Sequence, residues 1–283
     1  SQPSRSKIEQ AFKRVDKTVF PEHLDTDNYW RNKHLLDAGR EVIITQKLHG
    51  TSFRIGHVPV LRELRLRDRI AKRLGVGVST HEHDVVFGSR KVIKDVNNPR
   101  QQHFYGEDIW TAYGKTIAEL IPEGYMVYGE LVGFTPDGGE LQKNYTYDVP
   151  AGKAELYVYR VAHINRFGNL SDLSWDGVVQ FCNARGFKHT PELARILPSG
   201  VDNWLEAAKD AVFYDDWSDG AEFPDIPLRL SRPGKTVDEG VVVRQDGLVP
   251  VLLKAKSAVF LEHETKMLDK GEQDLESLEA IAA

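Results

Sequence analysis

Short apolar runs broken by glycine, proline, asparagine and aspartate set the rhythm of this chain, and strands outnumber long helices. Val42 to Lys47 and Ser52 to Ile55 read as two strands bracketing a turn at Gly50. Asp84 to Arg90, Tyr125 to Val132 and Glu155 to Ala162 read as further strands, the last two separated by a long loop rich in Gly, Asn and Tyr. Val241 to Arg244 and Val249 to Leu253 predict a hairpin around Asp246-Gly247, a strong turn dipeptide. Helical spacing is expected over residues 4 to 16, 62 to 74, 109 to 121, 172 to 185 and 201 to 213, and over the last twenty residues. Pro122 stops one of these helices and Gly75 another. The pattern predicts one α+β domain with antiparallel sheets.

The hairpin carries a geometric expectation. With Asp246 and Gly247 as a two-residue loop, Gln245 pairs with Leu248 and Glu239 lies opposite Lys254. Directly paired residues share a sheet face, and Lys256 returns to it two positions on, so one carboxylate and two ammonium groups would project together. Pro250 in the second arm marks an edge or a bulge.

Composition narrows the class. The 283 residues carry a net charge of −5, 41% hydrophobic residues and a single cysteine, Cys182. The lone cysteine excludes an intramolecular disulfide and a cysteine-rich zinc site. No apolar run reaches the length of a bilayer span, and the N-terminus is no signal peptide, so an intracellular, cytoplasmic or similar, compartment without membrane association is expected. Residues 261 to 283 hold seven acidic residues and two lysines, an acidic and helical tail. In the opposite sense, Arg62, Arg65, Arg67, Arg69, Lys72 and Arg73 face only Glu63 and Asp68. That run fits either a phosphate-tracking surface or a solvated helix face with internal salt bridges.

The chemistry concentrates at strand ends. Lys47 closes an apolar strand and precedes His49 and Gly50, while Glu130 and Glu239 supply carboxylates and Lys254 and Lys256 supply cations. A free lysine of pKa about 10.4 is roughly one part in 2,500 neutral at pH 7, so a nucleophilic Lys47 needs its ammonium form disfavoured by burial or neighbouring cations. The carboxylates could hold a magnesium ion, directly or through its waters. Each piece alone is weak; a Lys-x-His-Gly tetrapeptide is by itself more often a strand end and a turn. His81-Glu82-His83 is more simply a solvated loop than a metal site, and Gly75-Val76-Gly77-Val78-Ser79-Thr80 lacks the third glycine and the lysine of phosphate loops.

Taken jointly and in order, the segments Lys47-Leu48-His49-Gly50-Thr51-Ser52, Tyr128-Gly129-Glu130-Leu131, Leu156-Tyr157-Val158-Tyr159, Glu239-Gly240-Val241-Val242-Val243 and Leu253-Lys254-Ala255-Lys256 resemble the covalent nucleotidyltransferase superfamily of polynucleotide ligases and mRNA capping enzymes. Within it the chain is most similar to the RNA ligase 2-like family, which has Lys-x-His-Gly where DNA ligases and capping enzymes usually have Lys-x-Asp-Gly. Leu141-Gln142-Lys143-Asn144-Tyr145 and Gly88-Ser89-Arg90 are similar to further family segments, and the resemblance spans roughly residues 40 to 257.

The resemblance implies an ATP-grasp-like nucleotidyltransferase domain acting as an ATP-dependent RNA ligase with Mg2+ or Mn2+. Lys47 would attack the ATP α-phosphate and become lysyl-AMP. AMP would pass to an RNA 5′-phosphate, and a 3′-OH would displace it to seal the strands, a nicked duplex being one candidate substrate. By the same resemblance Glu130 and Glu239 hold the metal, and Lys254 and Lys256 hold the α-phosphate. Gln46, Leu48, His49, Gly50 and Arg90 contact the nucleotide, Tyr159 stacks on adenine, and Ser52 and Arg54 meet RNA. Ser52 stands where the family usually has Asn, Gln46 replaces a commoner acidic residue, and about thirty residues between Arg54 and Asp84 look like an insertion. A single-domain monomer is expected over 1–283, its accessory domain absent or removed. The rival readings are a GTP-dependent capping guanylyltransferase and a non-catalytic RNA-end-binding module.

Overall fold

The computed structural model describes residues 14–94, 108–147, 149–212 and 237–269. Two mainly antiparallel sheets face each other and helices cover their outer sides, the α+β architecture expected from the strand pattern.

The five-stranded sheet has the order β1-β12-β11-β2-β10. Its strands are β1 (Asp27–Asn28), β2 (Val42–Lys47), β10 (Glu192–Ile196), β11 (Gly240–Gln245) and β12 (Val251–Lys256). The larger sheet runs β5-β4-β3-β6-β7-β8. It comprises β3 (Thr51–Leu61), β4 (His81–Gly88), β5 (Ile93–Lys94), β6 (Tyr125–Gly133), β7 (Ala154–Ile164) and β8 (Leu170–Asp172), with β9 (Lys188–His189) beside β7. Among the described residues only the two-residue pairs β1–β12 and β7–β9 are parallel. Six helices complete the described residues: α1 (Tyr29–Asn32), α2 (Leu66–Arg73), α3 (Ile109–Ile117), α4 (Trp175–Arg185), α5 (Val201–Val212) and α6 (Ala258–Asp269).

Alternation explains the layers. On β2, Val42 and Ile44 point to the outer side and join Val241, Val243, Leu253, Leu205 and Tyr29 in one core. The larger sheet buries Phe53, Ile55, Val127, Val158 and Val161 against Trp110, Ile117, Val178 and Cys182 of α3 and α4. Ser174 caps α4 by accepting from Gly177 N, and Gly186 ends it at φ 74°, the left-handed conformation that glycine adopts without a Cβ penalty. Asp108 caps α3 in the same way through Thr111 N. The inner faces of the two sheets are left to line a cleft.

Several boundaries move. The expected strand Ser52 to Ile55 is the start of an eleven-residue strand, β3, and Asp172 to Ser174 precede α4 rather than belong to it. Only the last three residues of the helix expected over 4 to 16 are described, and they are not helical. The acidic tail is helical to Asp269; the rest lies outside the described residues.

The hairpin register is the main correction. Gln245 pairs with Val251 rather than Leu248, leaving a five-residue loop, 246–250. Pro250 has no N–H to give to a ladder. The Asp246 carboxylate is taken by Arg244 Nε at 2.7 Å and Trp175 N at 2.9 Å, which anchors the loop away from a tight turn. A shift of three is odd, so Lys254 and Lys256 share their face with Val242 and Gly240, not with Glu239.

Candidate active site

Strand pairing assembles the site's cationic wall. β2, β11 and β12 are neighbours, and Lys47, Gly240 and Lys256 form one row across them, while Thr45, Val242 and Lys254 form the next. Adjacent strands lie about 4.8 Å apart, so Lys47 and Lys256 stand about 10 Å apart at their backbones with no side chain between them. Glu239 fills that gap. Its Oε1 lies 3.0 Å from Lys47 Nζ and 3.6 Å from Lys256 Nζ. Gly240 makes this possible: at φ 138° it turns the chain so that Glu239, which alternation would send to the outer face, joins the lysines. A Cβ on Gly240 would lie 2.1 Å from the Ala255 carbonyl oxygen.

Glu239 is 3% exposed. Burial by itself would raise its carboxyl, but Lys47, His49 and Lys256 outweigh that and hold it well below the usual carboxylate range. Its Oε2 is buried, lies 3.3 Å from His49 Nδ1 and has no partner in good hydrogen-bond geometry. Lys254 is shifted down, by burial first and then by Lys47, Lys256 and Arg90.

The turn after Lys47 is strapped on three sides. Glu130 Oε1 accepts from Gly50 N at 3.0 Å, Gln142 Nε2 donates to Gly50 O at 3.1 Å, and Tyr147 OH accepts from His49 N at 2.9 Å. Gly50 packs so closely that a Cβ would meet Leu131 O at 2.4 Å. Leu48 is buried with Val132, Tyr145, Tyr147, Tyr157 and Phe260. The His49 ring sits edge-on to Tyr145 and Phe260, with centroids 4.6 and 5.3 Å away. Glu130 reaches the turn because β6 pairs with β3 in the register Ser52↔Glu130.

These groups line a cleft of about 370 Å³ that extends past Tyr159, Arg90 and Ser52 to His23, Arg160, Thr190 and Arg244. Arg90 lies 3.7 Å from Asp25 at the mouth. Tyr159 OH meets His23 Nδ1 at 2.5 Å. His23 is held well below its ordinary value by burial and then by Arg54, Arg90 and Arg160, so its imidazole is neutral. Arg244, 2% exposed, crosses from one sheet to the other, donating to Tyr159 O at 3.2 Å and Leu173 O at 2.8 Å.

The structure thus brings Lys47, Glu130, Glu239, Lys254, Lys256, Leu48, His49, Gly50, Ser52, Arg90 and Tyr159 around one cleft or the turn beside it. Two expected residues sit differently. Arg54 is fully buried, donates to Phe20 O at 3.3 Å and stacks over the Phe20 ring at 4.7 Å. Burial lowers it to about 10, and the RNA contact expected of it is not available to a guanidinium enclosed in the core. Gln46 lies along the cleft wall, but its Nε2 donates to buried Asp238 at 3.0 Å, which fixes its amide. Asp238, the carboxylate next to Glu239 in the Asp238-Glu239-Gly240 segment that the sequence offers, completes the surroundings with three residues that carry no strong signal in sequence, His23, Tyr147 and Phe260. Only aromatic enrichment in the loop after β6 pointed toward any of them.

Among the described residues no group of three or more His, Cys, Asp or Glu is arranged to cage a metal. The set fits a metal held another way. Magnesium-like cations are usually bound by one or two carboxylates together with water and substrate phosphates, and the buried Glu239 Oε2, with no well-aligned donor, has the oxygen chemistry for that role.

The fold is similar to Naegleria gruberi RNA ligase with PPi, at 13% identity over 94% of this chain and 64% of that one, TM-score 0.53. It is equally similar to a mutant of that ligase with ATP and Mn, at 12% identity over 92% of this chain and 60% of that one, TM-score 0.53. The chain spans less than two thirds of the length of those proteins, and at such identity the likeness is one of fold. No curated protein sequence matches the chain. Residues 40–257 match the family described as RNA ligase, and the chain belongs to that family.

Proposed function

We propose that this protein is an ATP-dependent RNA ligase that joins RNA 3′-OH and 5′-phosphate ends through lysyl-AMP and an adenylylated RNA 5′ end. The row Lys47–Gly240–Lys256, with Glu239 between its lysines and Lys254 beside them, is the observation that carries the reading. It supports a nucleophilic role for Lys47, whose amine stands beside two further lysines suited to a phosphate, in a cleft of about 370 Å³.

Lys47 Nζ forms the bond to the α-phosphorus as the bond to pyrophosphate breaks. The amine must first give up a proton, and the positive field of Lys254 and Lys256 favours its loss. The Glu239 ion pair opposes it, so Lys47 becomes reactive when Glu239 engages another partner. Glu130 and Glu239 would hold Mg2+ or Mn2+, which supplies charge neutralisation at the phosphate under attack. Lys254 and Lys256 neutralise the α-phosphate, Arg90 contacts the ribose or phosphate, and His49 faces the leaving pyrophosphate. Tyr159 presents a ring to the adenine, and Ser52 lies where the RNA 5′ end enters. ATP with Mn occurs on a mutant of the similar Naegleria ligase, which supports both cofactors here. Residues 1–283 are read as one nucleotidyltransferase unit, acting as a monomer.

Incubation with α-labelled ATP and magnesium is expected to label the protein, GTP to label it poorly, and Lys47→Ala to abolish the label. A label that persists in Lys47→Ala sinks the assignment of the nucleophile. A preference for GTP favours a capping-type reaction.

A further inference from the structure

Beyond the cleft, β3 and β4 continue past the end of β6 as a two-stranded ribbon. β6 pairs with β3 only from Thr51 to Gly56, whereas β4 follows β3 to Leu61↔His81. Val58 and Val60 bury one side of this arm against Val19 and Phe20, and Leu61 N bonds to Arg14 O, so the stem is anchored to the preceding segment. Helix α2 caps the arm and buries no residue.

The tip retains a concentration of positive charge that the core does not need. Arg65, Arg67, Arg69, Lys72 and Arg73 are all exposed. Carboxylates nearby are largely engaged: Asp68 accepts from Arg62 Nη1 and Arg65 N, and Glu82 and Asp84 both pair with Arg14. Glu63 is the other acidic residue of the tip. Along α2, Leu66, Ile70 and Leu74 form an i, i+4, i+8 stripe, 74%, 50% and 76% exposed, with Arg67 on one side and Arg69 and Arg73 on the other. At about 3.4 Å per residue, the nine steps from Ser52 at the cleft to Leu61 span about 30 Å. That is close to one turn of a nucleic-acid duplex, about ten base pairs.

We propose that the α2-capped arm is a duplex-RNA grip that holds the phosphate backbone about one helical turn from the break being sealed. The cations neutralise phosphates, and the apolar stripe between them lies against the sugar face of the wide, shallow minor groove of an A-form helix. Lys47 and its partners thus act on the end while the arm measures the duplex beyond it. This rests on the reading of the chain as acting on RNA, and no part of the adenylylation machinery lies on the arm.

The test is a triple variant of the cations that flank the stripe, Arg67→Gln, Arg69→Gln and Arg73→Gln, compared with the unaltered chain. Binding to nicked RNA duplex is titrated against salt, and sealing is measured on duplexes shorter and longer than about ten base pairs on each side of the break. The variant is expected to keep its melting temperature and its self-adenylylation. Its salt slope should fall by about three, and its sealing of long duplexes should drop tenfold or more to the level seen with short ones. Wild-type RNA affinity and salt slope in the variant overturn the proposal and leave the Leu66–Ile70–Leu74 stripe as a protein-docking face. Because binding needs no chemistry, a chain that fails to self-adenylylate refutes the ligase reading while the titration still decides the role of the arm.

Discussion

Gly240 shows how one residue without a side chain can build an ionic site. It leaves the space between Lys47 and Lys256 open, and its positive φ delivers Glu239 into that space. Gly240→Ala is expected to cost about 1–3 kcal/mol in backbone strain alone, before the contact with the Ala255 carbonyl is relieved. A lowered denaturant midpoint together with lost adenylylation is the expected result; wild-type values for both contradict this account. The residues that line the cleft were legible in sequence only as an ordered set resembling the RNA ligase 2-like family, because a lysine, glutamate or glycine at a strand end is a weak signal alone. What brings Glu239 to the lysines was not. A two-residue Asp246-Gly247 turn gives the right neighbours for the wrong reason, since the true register is shifted by three and the backbone reversal at Gly240 restores the face. Arg54 was assigned to RNA through the resemblance, and its place in the sequence says nothing about the neighbouring segment, here Phe20, that covers it.

Among elements, α6 has the most direct hold on the site. Phe260 packs against the His49 ring, and Glu264 Oε1 lies 3.1 Å from Lys256 Nζ, the cation assigned to the α-phosphate. A carboxylate there competes with an incoming phosphate for the same charge. Both partners are about a quarter exposed, so the pair contributes at most about 1 kcal/mol. Glu264→Gln is expected to lower the KM for ATP by up to about fivefold with little change in the maximal rate of adenylylation, measured by label incorporation across ATP concentrations. A raised KM would mean instead that Glu264 positions Lys256 for binding. That an acidic helix follows the last strand was readable from composition; which carboxylate folds back onto Lys256 depends on packing of Phe260, which no periodicity reveals. Strands β1, β5, β8, β9 and β10 were also missed, being short and at sheet edges or beside Pro191.

For the molecule as a whole, the cleft exists because two sheets are held at a fixed separation, and Arg244 spans them. Its guanidinium bonds Asp246 in its own hairpin, Tyr159 O on β7 and Leu173 O before α4. Removing a buried, charged group with three such bonds is expected to cost about 3–5 kcal/mol. Arg244→Ala should therefore unfold well below the wild-type temperature, and nucleotide affinity should fall more than it does for a core truncation of similar stability. Equal loss in both would place Arg244 with the ordinary core. Chain order adds a last consequence. The partners of β2 are β10 and β11, and the nearer begins 145 residues after β2 ends. At about 5–20 residues per second, a ribosome needs on the order of ten to thirty seconds to supply them. Throughout that interval the strand carrying Lys47 has no sheet to join, and Glu239 and Lys256 are still unmade. The proposed adenylylation site therefore cannot assemble until Lys256 has left the ribosome, and until then the apolar side chains of Val42, Ile43 and Ile44 lack their sheet.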